Sequence, residues 1–377
     1  MKSRQKIING IAVIFSIIFL SASAGFSAES EGEGPLKVGG QIQIQASRLR
    51  GANHSDGLAF RRLRPFIEKT VYENWKGRIQ WDFAKSKVVI KDAYIQNDGF
   101  LNTTLTLGNS KTTFSRAFLT SDTKHQLVEI SFVGDTKYGT PDRALGLKIE
   151  GHNESKKVAY GLFAGTEKIV TNQDTLQFIS PEENKGISGV VGSDDGGWLA
   201  TARLDFHPLG PLAFSQGNLK KKTKGTLSVA ALKWNNIDHV HSTSSVSSVD
   251  EVTGLEGSIA ARFSGMSVDV QYNSFDIKTV NPAMTGGLYK AGKTTLTQLA
   301  VEAGYMIWPS RVELVGGYEI QDADNYAAKW DRKSAGLNVF LSGHEIKGQV
   351  TYRKSKNVKG VVDKNENELF VQAQFLF

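Results

Sequence analysis

The chain has 377 residues, no cysteine, 38 glycines and 8 prolines, 40% hydrophobic residues and a formal charge of +7. The absent thiols exclude disulfide staples, thiol catalysis and a lipid-modified cysteine, and the glycine-rich, proline-poor balance fits a folded, turn-rich chain rather than a disordered one. Basic residues are dispersed rather than gathered in one stripe, which is not a nucleic-acid-binding pattern.

In chain order, Lys2, Arg4 and Lys6 precede an apolar run from Ile11 to Leu20 and the small residues Ser21 to Ala24. This predicts a signal peptide over residues 1–28, cleaved after Ala24 or Ala28. The run is too short for a membrane-spanning helix of about 20 residues. Removing its three charges lowers +7 to +4. A short polar segment, 29–37, follows, and no later stretch is apolar enough to span a membrane as a helix.

From there period-two alternation takes over, placing successive side chains on opposite faces of a strand. In Trp75 to Phe83 one face reads Trp, Gly, Ile, Trp, Phe and the other Lys, Arg, Gln, Asp. Sixteen strands are expected, near 38–48, 59–71, 75–84, 88–97, 101–109, 143–152, 156–166, 196–207, 223–235, 253–264, 266–277, 295–307, 310–321, 332–342, 344–355 and 366–377. An even number of strands of about 9–11 residues suits a closed membrane barrel. Short joints (Glu73-Asn74, Asn153 to Ser155, Gly265, Trp308-Pro309, Gly343) tend to alternate with long ones (110–142, 167–195, 236–252, 278–294, 356–365), as periplasmic turns alternate with outer loops. Two joints break the rule: Lys85 to Lys87 is short and Pro208 to Lys222 is long. Trp75, Trp198, Trp308, Tyr305 and Tyr318 near strand ends, and Phe377 closing the last strand, suit an interfacial girdle. A soluble all-β sandwich would share the alternation but has no use for that girdle. The expected fold is therefore all-β, a transmembrane antiparallel β-barrel over residues 38–377.

Several segments resemble one family. Phe60-Arg61-Arg62, Gln80-Trp81-Asp82, Lys91-Asp92-Ala93-Tyr94-Ile95 and, above all, Leu105 to Ser115 with Leu119-Thr120-Ser121 look like the phosphate- and polyphosphate-selective porins O and P. The match by motif covers about a fifth of the chain and departs at Thr113, where a proline is frequent. Residues 196–377 align with none of the family's phosphate-binding lysines or arginine ladder. The resemblance implies a trimeric outer-membrane channel passing small anions such as phosphate or polyphosphate, embedded in outer-membrane lipid, without enzymatic activity or cofactor, and with loop 110–142 folded inward.

With the apolar face toward lipid, the lumen receives Arg62, Arg64, Lys76, Arg78, Lys148, Arg203, Arg262, Arg311, Arg332, Lys347 and Arg353. It also receives Glu68, Asp82, Glu150, Asp205, Glu256, Asp269, Glu302, Glu313, Glu319 and Glu368. The wall is thus nearly balanced, and selectivity must come from clustering. Arg62 and Arg64 on one strand and Lys76 and Arg78 on the next form an expected cross-strand anion path. The alternative is that they pair with Glu68 and Asp82 as a rigid charge network. Lys111, Arg116 and Lys124, with His125 and Lys137, are the basic candidates of loop 110–142.

Three motifs lead elsewhere. Gly287 to Thr294 has a phosphate-loop spacing, but Asn281-Pro282 precedes it and a strand pattern follows, where the mechanism needs strand, loop and helix. His239 and His241 lack further ligands at metal-site spacing. His152 and His207 have no visible nucleophile partner for a barrel hydrolase. An adhesive barrel would use loops 167–195 and 236–252.

Overall fold

A computed structural model describes residues 34–51, 54–84, 88–179, 197–236 and 249–377. The leader and its cleavage sites, His239 and His241 lie outside the described residues.

Sixteen strands form a closed antiparallel wall: β1 (Lys37–Gly51), β2 (Ser55–Tyr72), β3 (Trp75–Asp82), β4 (Val89–Phe100), β5 (Thr103–Lys111), β6 (Arg143–His152), β7 (Val158–Val170), β9 (Gly197–Phe206), β10 (Lys224–Asn236), β11 (Val249–Phe263), β12 (Met266–Thr279), β13 (Lys293–Trp308), β14 (Val312–Asp322), β15 (Trp330–Ser342), β16 (Ile346–Lys356) and β17 (Glu366–Leu376). A seventeenth, β8 (Gln177–Ile179), pairs with the end of β7 outside the wall ring. Each of the sixteen expected strands has its counterpart. Closure is made by β1, which pairs with β2 on one side and β17 on the other, from Gln41 opposite Leu376 to Gly51 opposite Glu366.

Alternation is the physical cause of this shape. On β9, Trp198, Leu204 and Phe206 are exposed outward while Leu199, Thr201, Arg203 and Asp205 are buried inward. The outward apolar side chains continue round the ring, with Val229 and Leu255 each 59% exposed in the single chain. An uninterrupted apolar belt of this kind is solvated by lipid, not water. Trp75, Tyr305, Trp308 and Phe377 are exposed at the turn end and Trp198, Tyr318 and Tyr352 toward the loop end.

Two lumen fillings follow from the sequence. Near the outer mouth, Leu176, Phe178, Met284, Leu288, Tyr289 and Val358 from loops pack on the inward Leu232, Trp234, Val252, Phe275 and Leu296, so the hydrophobic core lies inside the barrel. Deeper, residues 112–142 run along the inner wall, with Phe114, Phe132 and Thr112 fully buried. That loop carries a single helical turn, α1 (Arg116–Leu119), capped by Ser115, whose Oγ accepts from Phe118 N at 3.2 Å.

Candidate functional site

The loop 112–142 is held by inward side chains from many strands. The Glu256 carboxylate on β11 accepts from Ser115 N (2.8 Å) and Arg116 N (3.1 Å). Gln271 on β12 accepts from Ala117 N (2.8 Å), and Glu319 on β14 accepts from Phe132 N (2.8 Å). Asn338, Lys347 and Gln349 donate to the carbonyls of Gln126 and His125 at 2.9 to 3.1 Å. Gln374 donates to Thr123 O at 3.1 Å, and Gln43 to Asp122 O at 3.3 Å. The loop therefore follows the wall from β11 round to β1 and reaches β2.

At β2 it makes ion pairs. Asp122 lies 2.8 Å from Arg62 Nε and 2.5 Å from Arg64 Nη1, and Arg64 Nε also donates to Asp82 at 2.7 Å. Burial opposes the Asp122 charge, but Arg62 and Arg64 outweigh it and hold the carboxyl well below its ordinary range. Glu129 is clasped by Arg61 at 2.9 Å and by Gln45 at 2.8 Å. Burial pushes His125 down to about 4, against the pull of Asp122.

Facing the loop, Arg78 reaches Glu68 (3.1 Å) and Asp92 (3.4 Å) and lies 4.0 Å from the Phe66 ring centroid. Arg143 bonds Asp92 (2.6 Å) and Asp142 (2.9 Å), and Lys91 bonds Asp142 (2.9 Å). Between this wall and α1 lies a cavity of about 440 Å³, bordered by Arg64, Arg78, Lys111, Arg143 and Lys148 and by two carboxylates, Asp92 and Asp122. Its apolar edge includes Phe66, Tyr94, Leu119 and Phe377. A second cavity, of about 470 Å³, adjoins at Leu119 and is bordered by Thr103, Thr104, Glu150, Tyr160, Arg203 and Phe214.

The structure brings Arg64, Arg78 and Lys111 to one cavity and places Arg62 immediately behind, against Gln43 and Asp122. Lys111 Nζ donates to Phe118 O at 2.5 Å. Lys76 turns toward Asp98 at 3.5 Å near the turn end. Arg116 points the other way, 3.6 Å from Asp269 and hydrogen-bonded to Ala213 O at 3.2 Å. Lys124 is half-buried and meets another segment through its carbonyl, which accepts from Gln216 N at 3.2 Å. Lys137 is exposed. Arg311, expected in the lumen, lies exposed in the β13–β14 turn and bonds Leu341 O at 2.8 Å.

The cross-strand group of four basic residues does not form. The β2–β3 register sets Glu68 opposite Arg78 and Thr70 opposite Lys76, so Arg62 and Arg64 lie further along the barrel. Lys91, Arg61 and Arg143 carry ion pairs that alternation had not singled out. Two β-bulges explain the first two: pairing skips Arg61 between Phe60 and Arg62, and skips Lys91 between Ile90 and Asp92. The inserted residue breaks the alternation and re-aims a charge that period two assigns to lipid. Gly287 to Thr294 leads into β13 rather than a helix, so no phosphate cradle forms there.

Residues 36–196 match the model of the family described as phosphate-selective porin O and P. That agrees with the family the motifs resemble. No curated protein sequence matches. Among solved structures, the fold is similar to the anion-selective porin from Comamonas acidovorans (11% identity, 92% of this chain and 100% of that one, TM-score 0.59). It is also similar to the outer-membrane channel DcaP of Acinetobacter baumannii (14%, 93% and 100%, TM-score 0.57). A loop L8 deletion mutant of the Vibrio cholerae outer-membrane protein OmpT gives 13%, 92% and 100%, with a TM-score of 0.58. At these identities the likeness is one of fold.

Proposed function

We propose that this chain, whose residues 36–196 match the model of the porin O and P family, is an outer-membrane porin: a homotrimeric passive channel favouring small anions, phosphate among them, and not an enzyme. The observation that carries the anion preference is the cavity beside α1, where five basic side chains meet two carboxylates. An aqueous pore selects through the charge at its narrow part, because an ion passing there loses some of its bulk screening. Arginine forks suit phosphate oxygens, while lysine contributes a mobile point charge.

A weakly selective general porin is the second reading. It is favoured by the ion pairs, since Arg64, Arg78 and Arg143 each already touch carboxylates. Reversal potentials across planar bilayers in a potassium chloride gradient separate the two. A permeability ratio favouring chloride supports the first, and cation selectivity overturns it. Millimolar phosphate that leaves chloride conductance unchanged removes the phosphate component alone.

A further inference from the structure

The joint between β9 and β10 is on the turn side of the barrel, where the other connections are two to five residues long, yet it spans His207 to Thr223. Its middle does not hang free. Gln216 and Asn218 are 4% and 5% exposed, although Pro208, Leu209 and Lys220 to Thr223 at either end are exposed. A segment whose ends are wet and whose centre is buried has entered the lumen.

Its contacts place it. Gln216 N donates to Lys124 O at 3.2 Å, Gln126 N donates to Gln216 Oε1 at 2.8 Å, and Gln216 Nε2 donates to Glu302 on β13. Arg262 on β11 donates to Ser215 O at 2.6 Å, and Asn218 Nδ2 donates to Met266 O at 3.2 Å. Ser310 Oγ donates to Leu219 O at 2.7 Å. The Phe214 ring lies 5.4 Å from the Arg116 guanidinium and 5.3 Å from that of Arg203. The segment thus rises from the turn side, meets the inward loop from below at residues 124–126, and covers Arg116, Arg203 and Arg262. These arginines also hold Asp269, Asp205 and Glu256. Both cavities beside the loop lie on the other side, along β1–β9, and Phe214 borders the second of them.

We propose that residues 208–222 are a second constriction element, a turn-side plug that closes the β9–β14 half of the lumen under the inward loop and confines permeation to the half lined by β2–β7. Arg116 and Arg262, under Phe214 and Ser215, are then structural and their charge is withheld from passing ions, while Arg203, paired with Asp205 and Glu256, stands at the border of the second cavity. Selectivity is set by the Arg64, Arg78, Lys111 and Arg143 side because the balanced, opposite side is sealed. The inference rests on channel activity, so wild-type conductance is recorded in the same bilayers, and its absence refutes the channel reading rather than the plug.

The test replaces residues 209–222 by Asn-Gly in the full-length protein, with refolding checked by heat-modifiable mobility and circular dichroism. Single-channel conductance in potassium chloride is expected to rise roughly twofold or more, and the permeability ratio to move toward unity, as a second, charge-balanced path opens. Conductance and ratio both equal to wild type overturn the proposal. Because the deletion can fail to fold, the double variant Phe214→Gly with Gln216→Gly provides a second reading. It removes the ring over the arginines and the side-chain bonds to Gln126 and Glu302 while keeping the chain length. A measurable rise in conductance is expected there too, and an unchanged value in a folded trimer counts against the plug.

Discussion

Asp122→Asn is the sharpest probe of the proposed pathway. Asp122 is one of two carboxylates on the cavity beside α1 and the one that bridges Arg62 and Arg64 at 2.8 and 2.5 Å. The substitution keeps an oxygen acceptor and removes one negative charge, so the cavity lining goes from five basic and two acidic groups to five and one. A unit charge about 4 Å from a passing ion is worth about 1 kcal/mol at the dielectric of water, about fivefold in the occupancy of one ion and, because chloride and potassium respond with opposite sign, about 25-fold in their ratio. Screening over a Debye length of about 10 Å at 0.1 M salt weakens this only partly across so narrow a space. The chloride to potassium permeability ratio is therefore expected to rise roughly tenfold, read from the reversal potential in a low-salt gradient. Asp269→Asn is the control, since Asp269 pairs with Arg116 and Arg262 on the opposite side, and it should leave the ratio near wild type. If Asp122→Asn leaves the ratio unchanged in folded protein, or Asp269→Asn shifts it equally, ions do not pass beside Asp122 and the reasoning fails.

Three further outcomes are expected. Lys111→Met removes an ammonium held by the Phe118 and Thr120 carbonyls rather than by a carboxylate, and should lower the same ratio by roughly the same factor. Glu256→Gln weakens the anchor shared by Ser115 N, Arg116 N and Arg203; breaking a buried pair costs about 3–5 kcal/mol, so the urea midpoint should fall and trypsin should gain access to Arg116, and unchanged values would show the loop to be held elsewhere. His125 has a folded pKa of about 4, below its ordinary 6.5, because burial disfavours the charged ring. The unfolded chain therefore takes up the proton first, and stability is lost as pH falls from 6.5 toward 4, by at most about 3 kcal/mol. His125→Gln should flatten the acid limb of the urea midpoint over that window.

The strands were legible because each had to expose one apolar face to lipid and one polar face to the lumen, and a side-chain period of two records that requirement residue by residue. The tight turn at Glu73-Asn74 was legible too, and it places Tyr72 opposite Trp75. Counting outward from there sets Glu68 against Ile79, whereas a bulge at Val71 shifts the register by one residue, sets Arg78 against Glu68 and brings Arg64 level with Asp82, so these ion pairs do not follow from the turn alone. Bulges could not be read that way. The extra residues Arg61 and Lys91 break the count, and nothing in a single sequence marks a bulge whose inserted residue is charged rather than glycine. The inward loop was expected from family resemblance, whereas its anchors, such as Glu256 and Gln271, depend on contacts between residues about 140 to 154 positions apart. The plug was visible as an irregularity of length, Pro208 to Lys222, but length alone does not tell which way a segment folds.

The seam between β1 and β17 sets an order on assembly. A chain that lacks its last strand presents two open strand edges, each ready to pair with whatever strand is near. The inward loop takes hydrogen bonds from Asn338, Lys347, Gln349 and Gln374, all within the final forty residues of the sequence. The inward loop is encoded in the first half of the chain, but its stretch from Thr123 to Gln126 is not fully seated until the last strands have arrived. Closing the wall and seating this part of the loop are thus coupled, and a barrel that lacks its last strand would leave both unfinished.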